Sequence, residues 1–303
     1  MILVVGATGV LGQKTVRLLL ADGHPVRALT RSAERANQLA QQGAEVAVGD
    51  LIDSESLVRA CRGVDRVFAA AHSFLGRGQY RSAAVDDRGH RALIDAARSQ
   101  GVKRFVYTSA MGAAPDHPID FTRTKFAIEQ YLQASGLEHV ILRPSAFMEW
   151  HAHIFNGKSI LEKGRTQLLG SGTKRRNFVA ASDVAQLAAA ALTAPVIRHR
   201  IVEIGGPGNF SNNEVAELYA RTAGIEPRIS HLPRALVGML AKIAQPIHPG
   251  ISRVMRFSSL PDDVFSETFD SANLLREHPM RLTSLQEFVR EQVAQARRDP
   301  ARG

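Results

Sequence analysis

Short, wholly apolar runs alternate with helical spacings from the first residues of the chain. Residues 2–5, Ile-Leu-Val-Val, carry no polar side chain, as a strand covered on both faces requires. Val10, Leu11, Val16, Leu19 and Leu20 follow at the spacing of one helix face. The alternation repeats: strands are predicted at 25–29, 45–48, 65–71, 104–108 and 139–142, with helices at 33–42, 53–60, 84–100 and 121–134. Gly43, Gly63, Gly101 and Gly136 stand just past the helical runs, where a left-handed residue ends a helix. Strands separated in this way by helices predict an α/β fold built on a doubly wound parallel sheet. The second half is less regular. Strands are predicted at 177–180 and 201–204 around a helix at 183–192. Ser211 with Glu214, and Ser284 with Glu287, have capping-box spacing, and Leu285, Phe288, Val289 and Val293 share one face of the last helix. Segment 233–247 is apolar but holds Arg234 and Lys242. It reads as a membrane-surface segment or, preferably, as a cover over a pocket.

The first strand runs directly into Gly6-Ala7-Thr8-Gly9-Val10-Leu11-Gly12, which opens the first helix. Gly6 permits the tight turn, Gly9 lets backbone approach a pyrophosphate, and Gly12 lets helix and strand pack closely. Thr8, Val10 and Leu11 line the same turn. The spacing is Gly-x-x-Gly-x-x-Gly rather than the usual Gly-x-Gly-x-x-Gly. A ligand-free glycine turn is the alternative, and the strand–turn–helix context weighs against it. The second strand ends Leu29-Thr30-Arg31-Ser32, without the acidic residue that would hold ribose hydroxyls. Arg31 can instead pair with a 2′-phosphate, with Ser32 adding a hydrogen bond, so NADP(H) is expected over NAD(H). A plain surface arginine is the other reading. Asp50 and Leu51 either lie along an adenine or, for Asp50, simply make a turn.

Taken together these pieces resemble the atypical short-chain dehydrogenase/reductase superfamily, in its NmrA-like branch of NAD(P)H-binding proteins. Further matching pieces are Val85-Asp86-Asp87-Arg88-Gly89, Lys103-Arg104-Phe105-Val106-Tyr107-Thr108-Ser109, Arg143-Pro144-Ser145-Ala146-Phe147-Met148-Glu149, Asp183-Val184-Ala185 and Gly205-Gly206-Pro207. The likeness covers most of 1–220 and is weak over 221–303. It implies a Rossmann-type core at 1–150, with 177–204 returning to it. A smaller C-terminal substrate lobe is then expected from 151–176 and 205–303. It further implies that Ala70, Ala71 and His72 line a cofactor, that Thr108 and Ser109 sit near the nicotinamide, and that Pro144 and Phe147 flank it.

The resemblance breaks at the catalytic signature. Active members place Tyr-x-x-x-Lys on a helix, the tyrosine as proton donor. Here Phe121-Thr122-Arg123-Thr124-Lys125 keeps the lysine and loses the hydroxyl. The family's serine falls at Ala110. Lys125 is expected to hold a ribose, its alternative being an exposed helix lysine. Tyr80 sits in a loop from which it can swing in. His72, His151 and His153 follow the carboxyl ends of predicted strands and each can supply a proton, although a packed or solvated histidine is the commoner case. His72 is the one taken as a catalytic candidate beside Lys125. A substrate pocket of Phe121, Phe147, Trp150 and His151 is expected.

Composition narrows the partners. The chain has 303 residues, 45% hydrophobic and 22% charged, with 38 Lys and Arg against 29 Asp and Glu, a net charge of +9. That excess invites an anionic partner, and a dinucleotide meets the need. The only tight basic run, Lys174-Arg175-Arg176, lacks interleaved aromatics, so no nucleic acid is expected. One cysteine, Cys61, and a sparse His151-x-His153 pair argue against a metal site. No apolar run nears the roughly 18 residues of a membrane span, and the first residues do not read as a signal peptide, so a cytoplasmic protein is expected. Two functions fit. One is an NADPH-dependent reductase of quinone-like or other small carbonyl acceptors. The other is a non-catalytic NADP(H)-responsive regulator or assembly factor with a protein partner.

Overall fold

A computed structural model describes residues 1–194, 197–260 and 268–298. The first half runs β1 (Ile2–Val5), α1 (Val10–Ala21), β2 (Val26–Thr30), α2 (Ala33–Gln41), β3 (Glu45–Val48), α3 (Ser54–Cys61), β4 (Arg66–Ala69), α4 (His90–Ser99), β5 (Arg104–Thr108), α5 (Asp120–Ala134) and β6 (Glu138–Pro144). The second runs β7 (Ala146–Phe147), α6 (Lys158–Lys163), β8 (Arg165–Leu169), β9 (Arg175–Val179), α7 (Ala181–Thr193), β10 (Arg200–Ile204), β11 (Asn209–Ser211), α8 (Asn212–Ala223), β12 (Arg228–Leu232), α9 (Arg234–Ala244), α10 (Pro249–Ser259), α11 (Ala272–Glu277) and α12 (Leu285–Arg298). Two compact units result, Met1–Arg143 with Val184–Glu203, and Pro144–Asp183 with Ile204–Gly303.

The first unit is built on a seven-stranded sheet of order β10-β6-β5-β4-β1-β2-β3. β1 pairs parallel to β2 and to β4, with Ile2 opposite Val26 and Arg66. The pairs β2–β3, β4–β5 and β5–β6 are parallel too. The order reverses between β1 and β4, and at that switch point the carboxyl ends of the strands leave a crevice for a ligand. β1 is buried throughout, as its lack of polar side chains requires. Leu3, Val5, Leu57, Leu93, Phe105, Ile128 and Ile141 pack in one core cluster. Cys61 belongs to the same cluster, and burial pushes its thiol up to about 12, so it is inert packing.

The helix predicted at 84–100 divides. A wide π-helical turn covers Ala83–Gly89 and α4 follows. Gly89 lies so close to the 48–54 connection that a Cβ there would stand 2.8 Å from the Leu51 carbonyl oxygen. The π turn brings the chain to that approach, which a hydrophobic repeat does not encode.

The second unit holds a three-stranded sheet, β11-β9-β7, and a two-stranded one, β12-β8. The strand expected at 177–180 is β9, and it pairs with β7 and β11 rather than with the main sheet; of the expected pair only β10 extends that sheet. Asn177 supplies the reason. Its amide is fully buried and must find partners. Its Oδ1 accepts from Ser145 Oγ at 2.8 Å and from the Gly206 N–H at 2.7 Å, and its Nδ2 donates to the Gly206 oxygen at 3.0 Å. β9 is therefore tied to the 205–209 loop. α12 buries Leu285, Phe288, Val289 and Val293 against a core with Phe178, Val215 and Tyr219, on the face the spacing predicts. Both capping boxes form. α9 packs on α10, where Ser252 Oγ donates to the Ala241 oxygen at 2.7 Å. Among the described residues no helix is long and apolar enough to cross a membrane.

Candidate functional site

The glycine turn sits at the carboxyl end of β1, beside the switch point. Gly6 has φ +88°, and a Cβ there would lie 2.7 Å from the Ala71 nitrogen. A Cβ on Gly12 would lie 2.1 Å from the Gly6 oxygen. Backbone therefore closes on backbone from two directions, and only glycine satisfies both approaches. Gly9 is the N-cap of α1 and offers no capping side chain, and the first turn of α1 has no acidic residue. The first amides of the helix are left for an anion. Val10, in that turn, is 44% exposed although apolar. Thr108 Oγ1, Tyr107 Oη and His90 Nε2 are buried polar atoms with no partner among the described residues. An uncapped helix start at the carboxyl end of β1 fits the diphosphate of a dinucleotide.

Arg31 and Ser32 follow β2. The Ser32 hydroxyl caps α2 by accepting the Arg35 N–H at 3.4 Å. The Arg31 guanidinium lies over the Tyr80 ring, 4.6 Å from its centroid. Asp50 makes turn hydrogen bonds: Oδ1 accepts the Ile52 N–H at 3.2 Å, and its own N–H donates to Ser56 Oγ at 3.0 Å. Leu51 is buried in the core. Ala70 continues the sheet by donating its N–H to the Val5 oxygen at 2.9 Å.

Phe121, Lys125 and Glu129 recur every fourth residue and so share one face of α5. Lys125 is buried at 3% exposure, and its Nζ donates to the Thr108 oxygen at 2.9 Å. Nζ also lies over the rings of Tyr107, at 4.8 Å, and Phe121, at 5.3 Å. Burial pulls the Lys125 pKa down to about 8, against the raising influence of Asp86 and Glu129. This lysine is a buried cation and not the exposed one the sequence left open. Edge-on contacts surround Phe121: the His72 ring at 6.2 Å and the Phe74 ring at 4.9 Å. His72 keeps an exposed surface yet is closely surrounded. That crowding, with the Lys125 charge, holds its pKa below the ordinary histidine value, and Asp86 opposes the shift. His90 is driven to about 4 by burial and by Lys125 and is therefore neutral.

Ser109 follows β5. Its hydroxyl is buried and donates to Glu129 Oε1. Glu129, fully buried, also takes a two-pronged pair from Arg143, with Nε to Oε1 at 2.9 Å and Nη2 to Oε2 at 2.6 Å. Ser109 thus belongs to a structural network beneath the end of β5.

Pro144, Phe147, Trp150 and His151 belong to the second unit. The segment Met148–Gly157 is another π-helical turn. It leaves Trp150 at 40%, Ile154 at 41% and Phe155 at 42% exposure, a small aromatic face. Phe155 stacks edge-on against His151 at 5.6 Å. Burial, reinforced by Arg176, holds His151 well below its usual pKa, so it is neutral. His153 bonds with the Tyr219 hydroxyl at 3.1 Å and is a packed histidine. Glu149, in the matched motif, accepts the Ala181 N–H at the start of α7. Asp183 accepts both the N–H and the hydroxyl of Thr283 at 2.7 Å. Among the other tyrosines, Tyr131 bonds to Asp95 and Tyr219 is buried in the second unit, so neither replaces the absent hydroxyl. Phe74, Asp86 and Glu129 join this region beside the residues expected there. The spacing of Glu129 from Lys125 was a usable signal; loop contacts such as that of Phe74 leave none.

Comparison with known proteins agrees with this geometry. The family model described as NAD(P)H-binding matches residues 6–195. An NAD(P)H azoreductase of Xenophilus azovorans is 35% identical over 245 residues, which is 79% of this chain and 81% of the relative. The photosystem II assembly factor Ycf39 of Guillardia theta is 28% identical over 295 residues, 96% of this chain and 93% of that protein. Among solved structures, an NADPH-dependent quinone oxidoreductase from Escherichia coli, in complex with NADPH, superposes with a TM-score of 0.77 at 23% identity. That likeness covers 96% of this chain and 99% of the other, and it bears on the fold. With the glycine turn at the switch point of the sheet and a match over more than half its length, the chain belongs to the NAD(P)H-binding family of NmrA-like, atypical short-chain dehydrogenases/reductases.

Proposed function

We propose that this protein is an NADPH-dependent reductase whose acceptors are quinone-like or other small conjugated carbonyl compounds. The observation that carries the reading is the pairing of Phe121 with a buried Lys125. The cation that holds a ribose is kept, and the hydroxyl that would protonate a carbonyl oxygen during transfer is gone. Bound nicotinamide supplies a hydride. The acceptors that suit this site spread the incoming charge over a conjugated system and take their proton afterwards. His72 accepts the Phe74 N–H on Nδ1 at 3.4 Å, which leaves its Nε2–H able to pass on a proton from water. The azoreductase relative, named for reduction of a conjugated bond, supports the reading. The glycine turn and the amides of α1 would hold the diphosphate, Arg31 the 2′-phosphate, and Lys125 the ribose next to the nicotinamide. The assembly-factor relative supports a second reading, cofactor binding without turnover. NADPH oxidation measured across quinones, azo dyes and enals separates the two. Turnover with any class establishes the reductase, and tight NADPH binding with no turnover favours the second reading.

Two binding predictions follow the same residues. Arg31→Ala is expected to weaken NADPH by about 10- to 100-fold, the worth of a charge-assisted phosphate contact, with NADH unchanged. Titration with both cofactors checks it, and equal affinities in the wild type would remove Arg31 from the site. Lys125 gives a pH dependence. Its folded pKa of about 8 lies below its unfolded value, so the folded state sheds the proton first. Between these values the unfolded chain binds more protons, and the contribution of Lys125 to stability rises with pH. Affinity for an anionic cofactor moves the other way, falling as pH rises above about 8. Lys125→Arg, charged throughout, is expected to flatten the affinity profile. A profile in Lys125→Arg as steep as the wild type would sink the assignment.

A further inference from the structure

The chain between β4 and α4 is fastened rather than loose. Asp86 is fully buried and holds both ends of the segment 73–82: Oδ1 accepts the Ser73 N–H at 2.8 Å, and Oδ2 accepts the Ser82 hydroxyl at 2.6 Å. Within the segment, the Ser73 hydroxyl donates to the Tyr80 carbonyl oxygen, and the Gly76 N–H donates to the Ser73 oxygen at 2.9 Å. A Cβ on Gly76 would meet both Ser73 Oγ and the Tyr80 oxygen at 2.0 Å, so the fold of the segment requires glycine there. One side chain near its start, Phe74, rests on Phe121. One near its end, Tyr80, lies under Arg31. A cavity of about 350 Å³ is lined by Leu51, Ile52 and Ser54 of the 49–54 region and by Gly78, Gln79 and Arg81 of the same segment.

We propose that segment 73–82 is a strap over the adenosine end of the nucleotide site, in which Tyr80 positions Arg31 for a 2′-phosphate and Asp86 is the fastening. The physical argument is conformational. An exposed arginine spreads over many rotamers and loses that freedom on gripping a phosphate. Held over an aromatic ring, the guanidinium has fewer orientations open to it, so less freedom is lost when a phosphate accepts its N–H groups. Tyr80 touches no 2′-phosphate itself; its effect passes through Arg31. Asp86 keeps Tyr80 in register because both ends of the segment hang from one carboxylate.

This inference rests on the assignment of Arg31 to NADP(H), and its test separates the two. NADPH and NADH affinities are measured by titration in the wild type, Arg31→Ala, Tyr80→Leu, Tyr80→Phe and the Arg31→Ala/Tyr80→Leu double variant. Tyr80→Leu is expected to weaken NADPH about two- to fivefold with NADH unchanged, and Tyr80→Phe, which keeps the ring, to match the wild type. In the Arg31→Ala background, Tyr80→Leu is expected to change nothing. Equal loss of both cofactors, or the same loss without Arg31, overturns the positioning role even in a protein that prefers NADPH. A wild type that binds both equally overturns the Arg31 assignment and the strap with it. For the fastening, Asp86→Asn and the milder Ser82→Ala are each expected to raise amide hydrogen exchange across 73–82 and to lower the NADPH preference. Should Asp86→Asn fail to fold, Ser82→Ala decides, and unchanged exchange in it overturns the fastening.

Discussion

Gly12→Ala is expected to cost about 3 kcal/mol of stability and on the order of 100-fold in NADPH affinity. The new methyl carbon would stand 2.1 Å from the Gly6 oxygen, 2.8 Å from the Gly6 carbonyl carbon and 2.9 Å from Ala7 Cα. All are backbone atoms of the turn, so no side chain can swing aside. α1 must move off β1, and its first amides move with it. A diphosphate bonded to two or three of those amides would then lose about 3 kcal/mol, which is the stated 100-fold. Helix propensity works the other way, since alanine is favoured over glycine by about 1 kcal/mol inside a helix. The clash outweighs it. Gly9→Ala is the internal control, because its Cβ would meet only the Gly6 oxygen, at 3.3 Å. It should fold nearly as the wild type does. Thermal melting and NADPH titration read both effects. A Gly12→Ala protein that melts and binds like the wild type would show that α1 does not sit as described.

Arg143→Ala is expected to destabilise the first unit by about 3–5 kcal/mol, as breaking a buried ion pair does. Glu129 has no exposure, and its carboxylate is balanced by the two-pronged guanidinium and the Ser109 hydroxyl. Removing the arginine leaves that charge buried with too few donors. Arg143→Leu with Glu129→Leu should recover much of the loss, because neither charge then needs solvating. Urea denaturation of the single and double variants checks this. If Arg143→Ala costs less than about 1 kcal/mol, the pair behaves as an exposed salt bridge, contrary to its burial. The location matters for function. Glu129 lies one turn beyond Lys125 on α5, and Ser109 directly follows the strand whose Thr108 carbonyl oxygen accepts the Lys125 hydrogen bond. The network holds the floor on which Lys125 rests.

Phe121 explains why the family signature is incomplete here without being vacant. The position is occupied by packing. Phe74 and His72 lie edge-on to the ring and Lys125 sits over its face. Phe121 carries no hydroxyl, and its ring packs on Phe74 near the start of segment 73–82. Of the net charge of +9, the proposed site would set Arg31 and Lys125 against an anionic cofactor.

Hydrophobic periodicity by itself determined the alternation of strands and helices in the first half. A strand buried on both faces must be apolar throughout, and a helix lying on a sheet must be apolar on one face, so both leave a trace in sequence. The glycine turn was legible for a similar reason: backbone approaching backbone admits one residue type. The one-face spacing of Phe121, Lys125 and Glu129 was present as well. Tertiary structure alone decided the rest. That β9 leaves the main sheet follows from the partners a buried Asn177 amide demands, which come from residues about thirty positions away. The carboxylate that Ser109 bonds belongs to Glu129, twenty residues on. Tyr80 looked free to swing, and it is held under Arg31 because Asp86 closes the segment carrying it. Polar side chains bond to whatever the fold brings near. Their roles are set by three-dimensional neighbours, and no period along the chain records them.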